Sequence, residues 1–353
     1  MQNSMDCRKD SKDNHVFIVG LPRTGTTILY RTIQGLPSFR STQLNLWETG
    51  IFRDYLAFDT PDLYYKSLLG YFLYKKDIYG SFLESVREYT DMLRVKKEDN
   101  NYQIQFKDKD GILNPDVFQK RNRPVELRWK QSSRIKIIRE YFNFARKCRN
   151  SKRLVEKTPH HYLHVHQIVW TFPDARIIWM IRHPIDIITS SIKRAKIDEN
   201  YSNYWRVDNF INEFKDSCSR LAAYQRHFAQ NILLVKYEDF VTAPVKEFKH
   251  ICEFIAEPFC ESALESTNGE IPNWKSPDRY LFSKIVNKTE KNWKEHISPE
   301  DAAKIETELQ YLMREYHFDF YSEKTRLPLK RRIPDFCDKS RRWLKKYFCF
   351  YGN

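Results

Sequence analysis

Glycine is scarce in this sequence, with nine residues in 353, where average usage of roughly 7% would supply about 25. Disorder and low complexity are excluded as well, because 41% hydrophobic and 15% aromatic residues suffice for a substantial core. Long apolar runs are missing. No window approaches the ~18 residues of a membrane span, and the apolar core of Ala175–Ile181 is far shorter. The opening MQNSMDCRKDSKDN is polar and lacks the apolar centre of a secretory signal. The seven cysteines (Cys7, Cys148, Cys218, Cys252, Cys260, Cys337 and Cys349) are odd in number, scattered and without a CxxC pair. That spacing argues against a disulfide framework and a zinc ribbon, and for a reducing, cytoplasmic compartment. Cys349 stands one position too early for a prenylation box, and no internal repeat is found.

What is present is positive charge and aromatic bulk. Sixty Lys plus Arg against 46 Asp plus Glu leave +14, so an anionic partner is expected: nucleic acid, an acidic membrane surface or a phosphorylated cofactor. Residues 324–353 hold ten basic side chains against Asp335 and Asp338. The C-terminal tail, taken as 321–353 and so including Glu323, therefore carries half of the excess. Its basic clusters are interleaved with Trp, Phe and Tyr. They suit an amphipathic anchor on an anionic membrane surface and equally a terminal helix packed on the domain.

Four short apolar runs read as strands: His15–Gly20, Arg153–Lys157, Arg176–Ile181 and Ile232–Lys236. Each is followed by polar punctuation and a helical pattern, which indicates an α/β fold with a central parallel sheet flanked by helices. Thr158-Pro159 and Ser298-Pro299-Glu300 read as helix starts, the latter for a helix running to about Tyr316, and Asp208–Gln230 has helical periodicity. A single domain is expected over 14–320. Residues 50–150, rich in Tyr, Phe and Leu early and polar later, far exceed a crossover. They are expected to be an insertion of helices and loops, either an acceptor-side cap or a structural subdomain.

Two of the nine glycines fall in one place. VFIVGLPRTGTTILYRTI puts Gly20 and Gly25 at a strand-to-helix junction, where backbone N–H groups and the positive helix end can face an anion. Arg23 adds a full charge, and Thr26 and Thr27 add hydroxyl donors. This phosphate cradle is not a Walker A loop, because Thr26 stands where that loop requires Lys. The strand Arg176–Ile181 is followed by Arg182 and not by a carboxylate for Mg²⁺. A P-loop-type kinase is thus the weaker enzymatic alternative. A basic membrane- or nucleic-acid-binding protein with a degenerate nucleotide site is the non-enzymatic one.

With these residues in view, the sequence resembles the sulfotransferases that use 3′-phosphoadenosine 5′-phosphosulfate (PAPS). Pro22-Arg23-Thr24-Gly25-Thr26-Thr27 matches their 5′-phosphosulfate loop, and Arg182 with Ser190 matches their 3′-phosphate element. Glu156-Lys157-Thr158-Pro159 and Tyr237-Glu238-Asp239 match two further landmarks, in the family's order across about residues 14–300. Arg in the loop and the EKTP segment place the likeness nearer the bacterial and tyrosylprotein-like branch. Two features depart from it. His183 stands where that branch usually has Asp, and the Arg-Lys-Gly expected before Asn292-Trp293-Lys294 is absent, with Ser283, Lys284 and Lys288 as substitutes.

The resemblance implies a P-loop NTPase-like sulfotransferase fold. It further implies sulfuryl transfer from PAPS to an acceptor hydroxyl by in-line displacement, releasing adenosine 3′,5′-bisphosphate, with neither a metal nor nucleic acid as partner. Arg23, Thr24, Gly25, Thr26, Thr27, Arg182, Ser190 and Tyr237 would bind the nucleotide. Arg23 and Lys157 would stabilise the departing oxygen, with a solvated surface lysine as the bland alternative for Lys157. Glu48, in QLNLWETG, corresponds to the general base. Tyr237 and Trp293 present faces that can border adenine or belong to the core. His160, His161, His164 and His166 have partial helical spacing for a metal but no carboxylate or thiol at ligand spacing; His160 or His161 is expected to meet the acceptor.

Overall fold

The protein is described by a computed structural model. It describes residues 14–39, 46–47, 49–52, 93–98, 101–108, 111–113, 138–139, 141–143, 145–147, 150–196, 206–265 and 293–321. Along the chain these form β1 (Val16–Gly20), α1 (Thr26–Gln34), β2 (Leu46–Trp47), β3 (Leu93–Glu98), β4 (Asn101–Asp108), β5 (Gly111–Leu113) and β6 (Val155–Lys157). After a 3₁₀ turn (Pro159–His164) come α2 (Val165–Thr171), β7 (Arg176–Ile181), α3 (Pro184–Ala195), α4 (Val207–His227) and β8 (Ile232–Lys236). The chain continues through α5 (Tyr237–Thr242), α6 (Pro244–Phe254), α7 (Ser262–Glu265) and α8 (Pro299–Glu315).

The main sheet has the order β2-β6-β1-β7-β8, and all its pairings are parallel. The four expected strands are present, Arg176–Ile181 and Ile232–Lys236 with the expected bounds and the other two shortened by one and two residues at their starts. A fifth, Leu46–Trp47, pairs Trp47 with Lys157 at the edge. Alternation divides the core between the two faces. Phe17, Val19, Ile177, Trp179 and Ile181 pack with residues of α2, α3, α4 and α8. Val16, Ile18, Val155, Ile178 and Met180 pack with residues of α1, α5 and α6. Strands later in the chain lie on both sides of β1, so the strand order reverses at its carboxyl end. Open α/β sheets bind ligands at such points.

The expectation of helices and loops across 50–150 is corrected in part. β3, β4 and β5 form an antiparallel sheet, with Val95 opposite Ile104 and Phe106 opposite Leu113. The signal was the alternation Tyr102-Gln103-Ile104-Gln105-Phe106, hidden among charged residues that resemble turns. The Ser298-Pro299 start is observed, with the Ser298 hydroxyl accepting from Asp301 N–H at 3.0 Å. Thr158 does not cap through its side chain, and a 3₁₀ turn follows it in place of an α-helix. Among the described residues no helix is long and apolar enough to cross a membrane. The tail from 322 onward lies outside the described residues.

Candidate active site

β1 is fully buried and ends at Gly20, where the backbone has φ 142°. A Cβ there would stand 2.4 Å from the Met180 carbonyl oxygen on β7. The chain then makes a tight turn braced by Thr24, whose N–H and hydroxyl both donate to Leu21 C=O (3.4 and 2.7 Å). Thr24, expected to bind the ligand, thus spends its donors on the shape of the loop. Gly25 closes the turn at φ 92°, and a Cβ on it would lie 2.3 Å from Cδ2 of Tyr237. α1 begins at Thr26, buried, and Thr27, half-buried, with no side-chain cap and no acidic residue in its first turn. Its first N–H groups remain suited to an anion.

Arg23 adopts φ 70°, a left-handed conformation that costs a non-glycine residue about 1–3 kcal/mol. Residues from the next strand and helix hold it there. Its Nε donates to Ser190 Oγ on α3 at 3.1 Å, and its carbonyl accepts from Arg182 Nη1 at 3.1 Å. The Arg182 guanidinium lies 4.4 Å from the centre of the Tyr237 ring, a cation–π stack. The fold therefore joins Arg23, Ser190, Arg182, Tyr237 and Gly25 in one cluster. Tyr237 serves as the wall behind the loop and the platform under Arg182.

Lys157 ends β6 opposite Ile18 of β1. Alternation along β6 places it on the α1 side, one residue after Glu156, which pairs with Phe17 of the other face. It is 1% exposed, which sets aside the solvated lysine. Cations thus stand at the ends of the strands on both sides of the cradle. Among the described residues no group of three His, Cys, Asp or Glu side chains is placed to hold a metal ion.

Glu48 and the substitutes Ser283, Lys284 and Lys288 lie outside the described residues. Around position 48, however, the chain is tied to β6 and the turn after it. Thr49 N–H and its hydroxyl donate to Glu156 Oε1 (3.1 and 2.8 Å), and the Thr158 hydroxyl donates to the same oxygen (2.5 Å). His161 Nδ1 meets Glu156 Oε2 at 3.0 Å. Burial alone would raise the Glu156 pKa. The facing His161 ring and the hydrogen bonds from His161, Thr158 and Thr49 outweigh it and hold the carboxyl below its ordinary range.

His161 is fully buried and committed to this network, so of the two histidines expected to meet the acceptor it is the half-buried His160 that keeps that reading. His164 pairs with Gln167 and His166 with Tyr224, so the histidines face separate partners. Trp293 is a core residue, stacked on Tyr321 at 6.3 Å.

His183, the departure from the usual Asp, takes over an Asp's local task. Its Nδ1 accepts from Ile185 N–H at the start of α3 (3.2 Å), and its Nε2 donates to Asp319 C=O (2.8 Å). The ring stacks on Tyr321 at 4.0 Å. Burial, aided by Arg182 and Lys236 and opposed by Asp319, lowers its pKa to about 4. The neighbouring Glu238 accepts from His183 N–H at 2.8 Å. Burial raises the pKa of this carboxyl, and the His183 N–H and Arg182 pull it partly back.

Residues 78–261, just over half the chain, match the family described as the sulfotransferase family. No curated protein matches the chain in sequence. Two of the solved structures similar to it are sulfotransferase domains. One is the sulfotransferase domain from the Synechococcus PCC 7002 olefin synthase, with TM-score 0.52 and 18% identity over 86% of this chain and 94% of that one. The other is the sulfotransferase domain from the curacin biosynthetic pathway, with TM-score 0.52 and 16% identity over 87% and 98% of the two chains. At these identities the likeness is one of fold.

Proposed function

This chain belongs to the sulfotransferase family, and from that premise we propose that it moves a sulfuryl group from PAPS to a hydroxyl of an acceptor. The observation that carries the reading is the linked cluster of Arg23, Ser190, Arg182 and Tyr237 at the reversal point of the sheet. It offers two guanidinium groups, a hydroxyl and uncapped helix N–H groups to one polyanionic ligand. A 5′-phosphosulfate suits the Gly20–Thr27 loop, where any side chain on Gly25 would intrude. A 3′-phosphate suits Arg182 and Ser190.

PAPS would supply the activated sulfuryl group, and adenosine 3′,5′-bisphosphate would depart. As the bond to the departing oxygen breaks, negative charge collects there. Arg23 and Lys157 are the residues we assign to stabilise it, in a buried setting where such interactions strengthen. Glu48 is assigned to take the proton of the acceptor hydroxyl, a role worth ~10²–10⁴ in rate. The chain's part is otherwise to orient donor and acceptor in line. The acceptor is assigned only as a hydroxyl compound.

A kinase reading also accounts for the loop but leaves the paired strand-end cations without a use. Thermal-shift measurements separate the two. Adenosine 3′,5′-bisphosphate should stabilise the protein, and Arg182→Ala should abolish the shift. Stabilisation by ATP–Mg²⁺ alone would refute the proposal.

A further inference from the structure

Glu156 is a fully buried carboxylate on the face of β6 opposite that of Lys157. Core residues at such a position are ordinarily apolar, because a buried charge requires compensation by hydrogen bonds or an ion pair. Here the compensation comes from Thr49 on one side and from Thr158 and His161 on the other, and the resulting network satisfies four successive N–H groups. Thr49 N–H donates to Glu156, and Gly50 N–H donates to the Thr158 hydroxyl at 3.2 Å. Ile51 N–H donates to the Thr49 hydroxyl at 3.3 Å, and Phe52 N–H donates to His161 Nε2 at 3.3 Å. Each acceptor beyond Glu156 is itself bonded to Glu156.

The last bond also fixes a proton. A ring nitrogen that accepts from Phe52 N–H is unprotonated, so His161 carries its hydrogen on Nδ1 and donates it to Glu156 Oε2. The bonds from Thr49, Thr158 and His161 converge on the Glu156 carboxylate. Ile51 and Phe52 have helical backbone. Their N–H groups are therefore among those a helix start leaves without an intrahelical partner.

On the other side of position 48, Trp47 is paired with Lys157 in the sheet. The described residues that flank position 48 in sequence are thus held by a β-ladder to the lysine strand on one side and by a clamp of four N–H groups, anchored on the residue next to that lysine, on the other. We infer that Glu156, acting with His161 and Thr158, is a positioning residue for the reaction, holding segment 46–52 in register with Lys157. The inference rests on the sulfuryl-transfer reading above, in which residue 48 supplies the base. Glu156 touches no reacting atom. It acts by removing the freedom of the chain that carries one.

The isosteric substitution Glu156→Gln tests this. It removes the charge and sets an amide NH₂ against His161 Nδ1–H. Thr49→Val is the milder variant, removing one hydroxyl at nearly constant shape. Arg153→Met serves as the structural control, because Arg153 is half-buried and bonded to Asn14 and Glu257, away from the segment. Three quantities are read for each variant: the rate of label transfer from saturating PAPS into a cell extract, the affinity for adenosine 3′,5′-bisphosphate, and amide exchange in the peptide covering 46–52.

Glu156→Gln is expected to slow transfer on the order of 10²-fold, the usual effect of roughly 1 Å of misplacement. Nucleotide affinity should stay within about twofold of the wild type, and exchange at residues 49–52 should accelerate. Thr49→Val should move the same readouts less, and Arg153→Met should move neither rate nor exchange. Transfer at the wild-type rate would overturn the inference, as would losses of rate and affinity together, which would mark general damage to the fold and not a loss of positioning. Should Glu156→Gln fail to fold, Thr49→Val and Thr158→Val decide the question by the same criteria. Failure of the wild type to transfer label or bind nucleotide would instead refute the underlying reading, and this inference with it.

Discussion

Alanine at position 25 is a small change with two separable costs. The backbone at Gly25 has φ 92°, and holding an L-residue there costs about 1–3 kcal/mol. The added methyl would lie 2.3 and 2.9 Å from Cδ2 and Cε2 of Tyr237. The ring must give way, an overpacking cost of about 1–3 kcal/mol. Restricting the unfolded chain returns roughly 0.4–1 kcal/mol, so Gly25→Ala should lose about 1–6 kcal/mol of stability. A displaced ring also withdraws the platform under Arg182. That cation–π contact is worth about 0.5–2 kcal/mol, or a roughly 2- to 30-fold weaker grip on adenosine 3′,5′-bisphosphate. Denaturant unfolding and calorimetric titration measure the two effects. A double-mutant cycle with Tyr237→Leu separates the costs, because the smaller side chain relieves the collision but not the backbone strain. Wild-type stability and affinity in Gly25→Ala would refute both the loop conformation and the place given to Tyr237.

Tyr237→Phe should preserve nucleotide affinity, since the ring face carries the stack, whereas Tyr237→Leu should weaken it about 2- to 30-fold; equal losses in calorimetry would assign the effect to the hydroxyl. Arg153 donates to Asn14 O and Oδ1, Ile255 O and Glu257 Oε1 at 2.6–2.8 Å. Arg153→Met should therefore cost about 3–5 kcal/mol in denaturant unfolding while nucleotide affinity is unchanged. The acid limb of stability should be set by buried histidines and Glu156. Burial lowers His15 and His164 to about 3 and His166 and His183 to about 4. Between pH 6.5 and 4 the unfolded chain therefore binds more protons, and stability falls as pH falls. Glu156, lowered in the fold, stabilises above the ordinary carboxylate range and loses that contribution as pH drops through and below it. His183→Asn should reduce the slope of unfolding free energy against pH by at most ~1.36 kcal/mol per unit in that window. An unchanged slope would mean that His183 is protonated normally.

The sheet was legible because strands buried on both faces read as unbroken apolar runs, as HVFIVG and RIIWMI do. Leu46–Trp47 was not, because its strand character comes from pairing with β6 and two residues show no period. In β4 the alternation from Tyr102 to Phe106 was present, but the lysines and aspartates around it read as loop. Motif order brought Arg23, Lys157, Arg182 and Ser190 to the site, and the fold joins Arg23, Arg182 and Ser190 directly. The function of Tyr237 was hidden, since its ring acts on a glycine whose missing side chain leaves no chemical signal in the sequence. Glu156 stood in plain view within EKTP without a role. Its partner Thr49 lies 107 residues upstream, a distance that no local pattern spans.

The central claim concerns what the cluster of Arg23, Ser190, Arg182 and Tyr237, with Lys157 on the neighbouring strand, does to a bound nucleotide. The most direct test is incubation with sulfuryl-labelled PAPS and a cell extract, followed by mass spectrometry of the products. The account predicts a sulfated hydroxyl compound and adenosine 3′,5′-bisphosphate with the wild type, and neither with Arg23→Ala or Arg182→Ala. Labelled product formed equally by those variants would contradict it, as would no sulfated product from a wild type that binds ATP–Mg²⁺.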